Sequence, residues 1–242
     1  LKILAIDTSG EQAGAAILKS PYITVGEIFL NARTGEKSWT HSEILMPGVE
    51  RLFELTRIEP TEIDFVAYTN GPGSFTGLRI GAASALGIAR ALNIPAICVP
   101  TLDALAYNVF MAGGECIIVP MLNARRGQVY TASYMRSESG LIEKISDYSA
   151  MAIEEISSIA RHKNLQIIFL GDGADANIEF LHKNFPDAIF AALNNNRQRA
   201  ASAGVCAMQK LSSGEAIEKN PEILYIRAPQ AVREMEAKKC AL

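Results

Sequence analysis

Three strand-like runs precede any helix, and this order constrains the fold more than any other feature of the chain. Ile3–Ile6 is apolar, and it, Ala13–Leu18 and Tyr22–Leu30 are separated by short connectors carrying Gly10 and Pro21. Connectors this short favour adjacent, antiparallel pairing. A polar stretch, Asn31–Ser38, leads to a helix expected over about Thr40–Arg57, which Pro47 should kink or mark at its first full turn. A strand at Ile63–Thr69, a helix reaching about Leu92, a strand at Ile94–Val99 and a helix starting near Thr101 follow. The order β-β-β-α-β-α-β-α differs from a Rossmann unit, which alternates from the start. Strands resume at Cys116–Leu122 and Gln128–Tyr134 around a hairpin-like turn, Asn123-Ala124-Arg125-Arg126-Gly127. Helix Ile153–Arg161, strand Gln166–Leu170, a helix opened by Gly171-Asp172-Gly173 and helix Arg199–Leu211 complete the pattern. Both halves begin with strands and continue with α/β units. The expected fold is α/β, two-lobed and of the actin-like ATPase and sugar-kinase type, each lobe a mixed sheet with helices. The lobes are expected at residues 1–110 and 111–242, with the last segment packing back on the first lobe.

Composition removes several functional classes. The 242 residues suit two lobes, and 49% hydrophobic with 20% charged residues excludes wholesale disorder. The net charge of −3 makes the chain a poor nucleic-acid binder by itself, so any RNA needs a partner to supply positive field. Cys98, Cys116, Cys206 and Cys240 form no CxxC pair, which leaves zinc-ribbon and dithiol chemistry unsupported. Cys98 and Cys116 read as buried small hydrophobes. His41, His162 and His182 are the only histidines, and no HExxH occurs. The first apolar run is too short for a signal peptide, and nothing approaches a membrane span. A cytoplasmic location without membrane contact is expected.

Two stretches can meet phosphate. Asp7-Thr8-Ser9 ends the first strand, where a carboxylate can hold magnesium through water; a turn satisfied by its own side chains is the alternative. Gly71-Pro72-Gly73-Ser74-Phe75-Thr76-Gly77-Leu78-Arg79 combines glycine freedom, a helix start capped by Ser74 or Thr76, and the donors of Arg79. It lacks the lysine of a P-loop. Anion binding and a purely structural turn both account for it. Asp7, Thr8, Ser9, Gly71, Gly73, Ser74 and Arg79 are therefore the candidate nucleotide or phosphate contacts.

The helix after this loop carries Gly77, Gly81, Ala85 and Ala89 at intervals of four, a small-residue face that admits a close neighbour. The preceding helix is apolar at Ile44, Leu45, Val49, Leu52 and Phe53. Packing between the two helices explains the pattern; so does an exposed face that docks another protein. His41 has Leu45, not histidine, four residues on, so a helical metal pair is absent. No nucleophile elbow occurs, and no catalytic residues are assigned.

The motifs together resemble the TsaB (YeaZ) family. The matching blocks are Ile3–Ser9, His41-Ser42-Glu43 with Leu45 and Pro47, Gly71–Gly81, Thr101–Ala106, Ala124–Gly127 with Val129-Tyr130, and Tyr225-Ile226-Arg227. The resemblance implies a non-catalytic subunit of the machinery that adds threonylcarbamoyl to an anticodon-adjacent adenosine of tRNA. The implied partners are the catalytic paralogue TsaD and the ATPase TsaE, with tRNA met only through the complex. Homodimerisation through the same helical face is implied when the chain is alone. Docking is expected through His41, Leu45, Val49, Leu52, Gly77, Leu78, Gly81, Ala85 and Ala89. No cofactor or metal of its own is expected, beyond weak ATP or ADP binding at the interface with TsaD. The family pattern has Asp where Asn123 stands and Glu where Gln128 stands, so a cation at this lobe should bind less well. The alternatives are an independent actin-fold ATPase or small-molecule kinase and, with least support, an endopeptidase.

Overall fold

A computed structural model describes residues 1–31, 33–34, 37–109, 114–160, 165–214 and 222–227. His162, Cys240 and the charged stretch 234–240 lie outside them. The strands are β1 (Lys2–Asp7), β2 (Gln12–Lys19), β3 (Ile23–Asn31), β4 (Arg33–Thr34), β5 (Lys37–Ser38), β6 (Phe65–Thr69) and β7 (Ala96–Val99). The second half contributes β8 (Cys116–Asn123), β9 (Gln128–Thr131), β10 (Tyr134–Arg136), β11 (Ile142–Lys144), β12 (Ser149–Ala152), β13 (Gln166–Leu170) and β14 (Ile189–Phe190). The helices are α1 (His41–Thr56), α2 (Phe75–Leu92), α3 (Thr101–Ala106), α4 (Ser157–Ala160), α5 (Asp172–Ala176), α6 (Ile178–Asn184) and α7 (Ala200–Ser212).

The first sheet has the order β3-β2-β1-β6-β7. Its three leading strands pair antiparallel, and β6 and β7 add parallel to β1 through helical crossovers. Side chains alternate across β1, which assigns each residue to one of two cores. Leu4 and Ile6 face α1 and α2, while Ile3 and Ala5 face α7.

The second sheet is built on β8. Its start pairs with β10 and its end with β9, while β13 runs parallel along its other edge. The single strand expected over Gln128–Tyr134 is thus two strands, broken at Ala132-Ser133. Pro120 sits in the middle of β8 without an amide to donate, and its carbonyl accepts from Thr131 Oγ1 at 2.9 Å. Helix α3 covers one face of this sheet, and α4, α5 and α6 cover the other.

Five layers result: α1 with α2, the first sheet, α7 with α3, the second sheet, and the remaining helices. Helix α7 follows the second sheet in sequence but completes the core of the first. Its run of alanines permits close approach, and a Cβ on Gly204 would lie 2.3 Å from Leu18 Cδ1. A polar junction joins the middle layer to the second sheet. Asp103 Oδ1 of α3 accepts from Tyr134 Oη at 2.7 Å and Tyr148 Oη at 2.6 Å. Burial, with Asp103 beside them, holds both phenols above their ordinary range.

Among the described residues, no helix is long and apolar enough to cross a membrane. Helix α1 starts behind Thr40, whose amide donates to Glu43 Oε2 at 2.7 Å, and it continues through Pro47 on its exposed side. His182 stacks on Phe190 at 4.3 Å between ring centres.

Candidate functional site

The candidate phosphate residues converge at the carboxyl ends of β1 and β6. Asp7 is buried, and its Oδ1 accepts from Ser9 N at 2.9 Å, Ser9 Oγ at 2.6 Å and Thr69 Oγ1 at 3.0 Å. Its Oδ2 is buried with no hydrogen-bond partner. Burial raises the Asp7 pKa above its ordinary value; the bonds from Ser9 and Thr69 oppose that rise without cancelling it. Thr69 was invisible to sequence reasoning, because its role depends on β6 lying beside β1.

The glycine-rich loop is occupied by the chain itself. Ser74 N donates to Ser9 O at 2.7 Å, and Thr8 Oγ1 donates to Gly77 O at 2.8 Å. Ser74 caps α2, its Oγ accepting from Gly77 N at 3.2 Å. A Cβ at Gly73 would lie 2.4 Å from Ser9 O, and one at Gly77 would lie 2.1 Å from Thr8 O. Gly71, at φ 119°, has Leu224 O against its open side. These glycines therefore let the turn after β1 and the 222–227 segment approach the start of α2. Arg79 turns to another neighbour: its guanidinium lies 3.8 Å over the Phe75 ring, and its Nε donates to Tyr225 Oη at 3.4 Å.

The expected docking stripe faces inward. Leu45, Val49, Leu52, Leu78, Ala85 and Ala89 are buried in this chain's own core, and Gly77 and Gly81 are buried with them. A Cβ on Gly81 would lie 2.2 Å from Thr8 Oγ1. The small residues bring α2 onto β1, and the chain itself covers them. His41 is spent on the fold as well, its Nε2 3.1 Å from Gly10 O. What the two helices leave outward is a groove of about 900 Å³ whose walls include Met46, Phe53, Ile58, Ile88, Ala91 and Leu92, the charged Glu50, Glu54, Arg57 and Glu59, and, of the expected docking residues, Val49. The same helical period that buries Leu45 and Ala85 exposes Met46 and Ala91.

The second lobe offers the Asn123–Gln128 turn. Arg125, Arg126 and Gly127 all have positive φ, at 62°, 55° and 71°. Asn123 Oδ1 stabilises the turn by accepting from Arg125 N at 2.8 Å. Gln128 Oε1 accepts from Arg227 Nη2. Both departures from the family pattern are thus engaged inside the chain. Asp172, at the start of α5, accepts from Asn123 N at 3.2 Å, and burial raises its pKa. Among the described residues, no group of three or more His, Cys, Asp and Glu is placed to hold a metal ion.

Comparison with known proteins decides the relationship. A family model described as "TsaD: tRNA N6-adenosine threonylcarbamoyltransferase" matches residues 35–240. The tRNA threonylcarbamoyladenosine biosynthesis protein TsaB of Bacillus subtilis is 33% identical over 171 residues, 71% of each chain. The chain belongs to the TsaB family. TsaB of Escherichia coli is also 33% identical, over 58% of each chain. The match to a TsaD model fits a TsaB chain paralogous to TsaD. The fold agrees: YeaZ from Pseudomonas aeruginosa superposes with a TM-score of 0.76 at 22% identity, over 93% of this chain and 99% of that one. A ROK hexokinase from Thermus thermophilus gives 0.52 at 9% identity, over 88% and 100%. This TsaB-family chain therefore has the two-lobed actin-like and sugar-kinase fold.

Proposed function

We propose that the chain acts in biosynthesis of threonylcarbamoyladenosine in tRNA as a non-catalytic subunit that docks and activates a TsaD-type paralogue and helps to recruit TsaE. The observation that carries this reading is the solvent-open apolar groove on the outer side of α1 and α2. It opens beside Met46 and Ala91, both exposed, on two helices already held rigid by the core. Two helices per partner suit a stable interface of about 1,200–2,000 Å². The reading extends to self-association through this face. Glu43 and Glu50 are exposed on α1, where Arg51 is paired with Glu54 at 2.6 Å, and Arg79 and Arg90 are exposed on α2. A two-fold arrangement that lays α1 on the partner's α2 therefore pairs opposite charges. tRNA is met through the complex, and ATP or ADP is held weakly at the interface with TsaD.

Size-exclusion chromatography with light scattering tests the docking, using the full chain mixed with the TsaD-type paralogue from the same source. A discrete heterocomplex is expected. Met46→Arg with Ala91→Glu sets in the groove, at exposed helical positions, charges opposite in sign to those each helix presents, and should weaken binding about 100-fold, or about 2.7 kcal/mol. Binding that persists with both charges present means that the face is misplaced.

An independent ATPase is the second reading, favoured by the unpartnered Oδ2 of buried Asp7. Magnesium-dependent ATP turnover by the chain alone, lost in Asp7→Ala, would establish it. Against it stands the glycine-rich loop, which is filled by Thr8, Ser9 and Leu224.

A further inference from the structure

We propose that residues 222–227 are a strap that couples the two lobes, so that loosening its hold on either lobe loosens the other. The segment forms neither helix nor strand, yet it is bonded at both ends. On the first lobe, Leu224 N donates to Asn70 O at 2.8 Å, and Asn70 Nδ2 donates to Glu222 O at 3.1 Å. The segment thus meets the end of β6 through one backbone bond and one side-chain bond. The Tyr225 ring lies 5.9 Å from that of Phe75, and its hydroxyl accepts from Arg79.

Two residues later the strap is on the second lobe. Arg227 donates through Nη2 to Gln128 Oε1 and through Nη1 to Ala124 O at 3.5 Å, and its guanidinium carbon lies 5.5 Å from the Tyr130 ring centre. Ile226 packs into the apolar cluster shared by α3 and the second sheet. Six residues thus tie the Asn70–Gly71 turn to the Asn123–Gln128 turn. The Asp103 junction, the bonds from Asn108 Nδ2 to Asn195 O and Arg197 O, and the packing of α7 on the first sheet already join the lobes; the strap adds an attachment between their two turns. The fit against the first lobe is close: a Cβ on Gly71 would lie 2.5 Å from Leu224 O.

Coupling and mere surface contact differ in where a perturbation is felt. Hydrogen exchange on the full chain reads this residue by residue. Arg227→Ala releases only the second-lobe anchor. It should nevertheless speed exchange about tenfold at Leu224, whose amide bonds Asn70, and at Thr101, whose amide bonds Gly71 O at 2.7 Å. Gly71→Ala pushes from the first lobe, and it should speed exchange at Ala124 and Gln128, which Gly71 does not touch. Gln128→Glu gives Arg227 a charged partner and should slow the Leu224 amide. Because Gly71→Ala acts at a positive-φ position and can cost the fold itself, Arg227→Ala carries the test alone. Exchange that changes only on the substituted lobe overturns the proposal.

Discussion

Two alanine substitutions in α2 should shift stability in opposite directions. At Gly77 the new Cβ falls 2.1 Å from Thr8 O, a main-chain atom that moves only if β1 and α2 separate. Overpacking costs about 1–3 kcal/mol, and a clash with backbone belongs at the upper end. Separation also strains the 2.8 Å bond from Thr8 Oγ1 to Gly77 O, worth about 1 kcal/mol. Alanine's better helix propensity returns about 1 kcal/mol. The net loss is about 2–3 kcal/mol. At Gly87 nothing lies within 4 Å of the new Cβ, so only the propensity gain remains and the variant should gain about 0.5–1 kcal/mol. Urea denaturation reads both changes. With m near 2–3 kcal/mol/M, the midpoint falls by about 1 M for Gly77→Ala and rises by about 0.3 M for Gly87→Ala. An unchanged midpoint in Gly77→Ala, accompanied by loss of partner binding, would refute the inward packing of the stripe and restore it as a docking surface.

Two further perturbations probe the first lobe. Asp7→Asn removes a buried charge while leaving an oxygen for Ser9 and Thr69. Because burial raises the Asp7 pKa, the wild type is penalised as pH climbs through that raised value, and the penalty disappears below the ordinary carboxylate range. The variant's midpoint relative to wild type should therefore be highest near pH 7 and should fall on acidification; a flat difference, or one of opposite slope, rejects this. Glu27 of β3 accepts from Arg199 and, at 3.0 Å, from Ala201 N, tying the start of α7 to the first sheet. The Glu27 side chain is 11% exposed and that of Arg199 37%, so solvent screens part of the pair, and Glu27→Ala should cost about 1–2 kcal/mol. A midpoint equal to wild type would show that α7 is held by apolar packing alone.

The legible parts of the fold were those written in local period. Three strands before any helix fixed the antiparallel start, and the helices after Thr40 and Ser74 followed from apolar spacing and capping residues. The break between β9 and β10 was not legible, because it depends on Pro120 in the facing strand. The contact that α7 makes could not be placed from its alanines, which suit any close helix–sheet packing; the sheet order brings Leu18 and Ala5 beneath Gly204.

The candidate site shows the same limit from another side. Glycine-rich loops and small-residue stripes announce that something approaches the backbone closely, but not what. Here the approaching groups are Thr8 and Ser9 at the loop, Leu224 at Gly71, and β1 along the stripe. A motif of this kind is equally compatible with phosphate, with a partner helix and with the chain's own main chain, since each needs only the absence of a Cβ. What separates them is the direction of the neighbouring large residues. Leu45 and Leu78 point inward with the stripe, while Met46, Phe53 and Ile88 border open space. The residues that border open space on α1 and α2 are therefore about one step around the helix from those whose smallness draws attention.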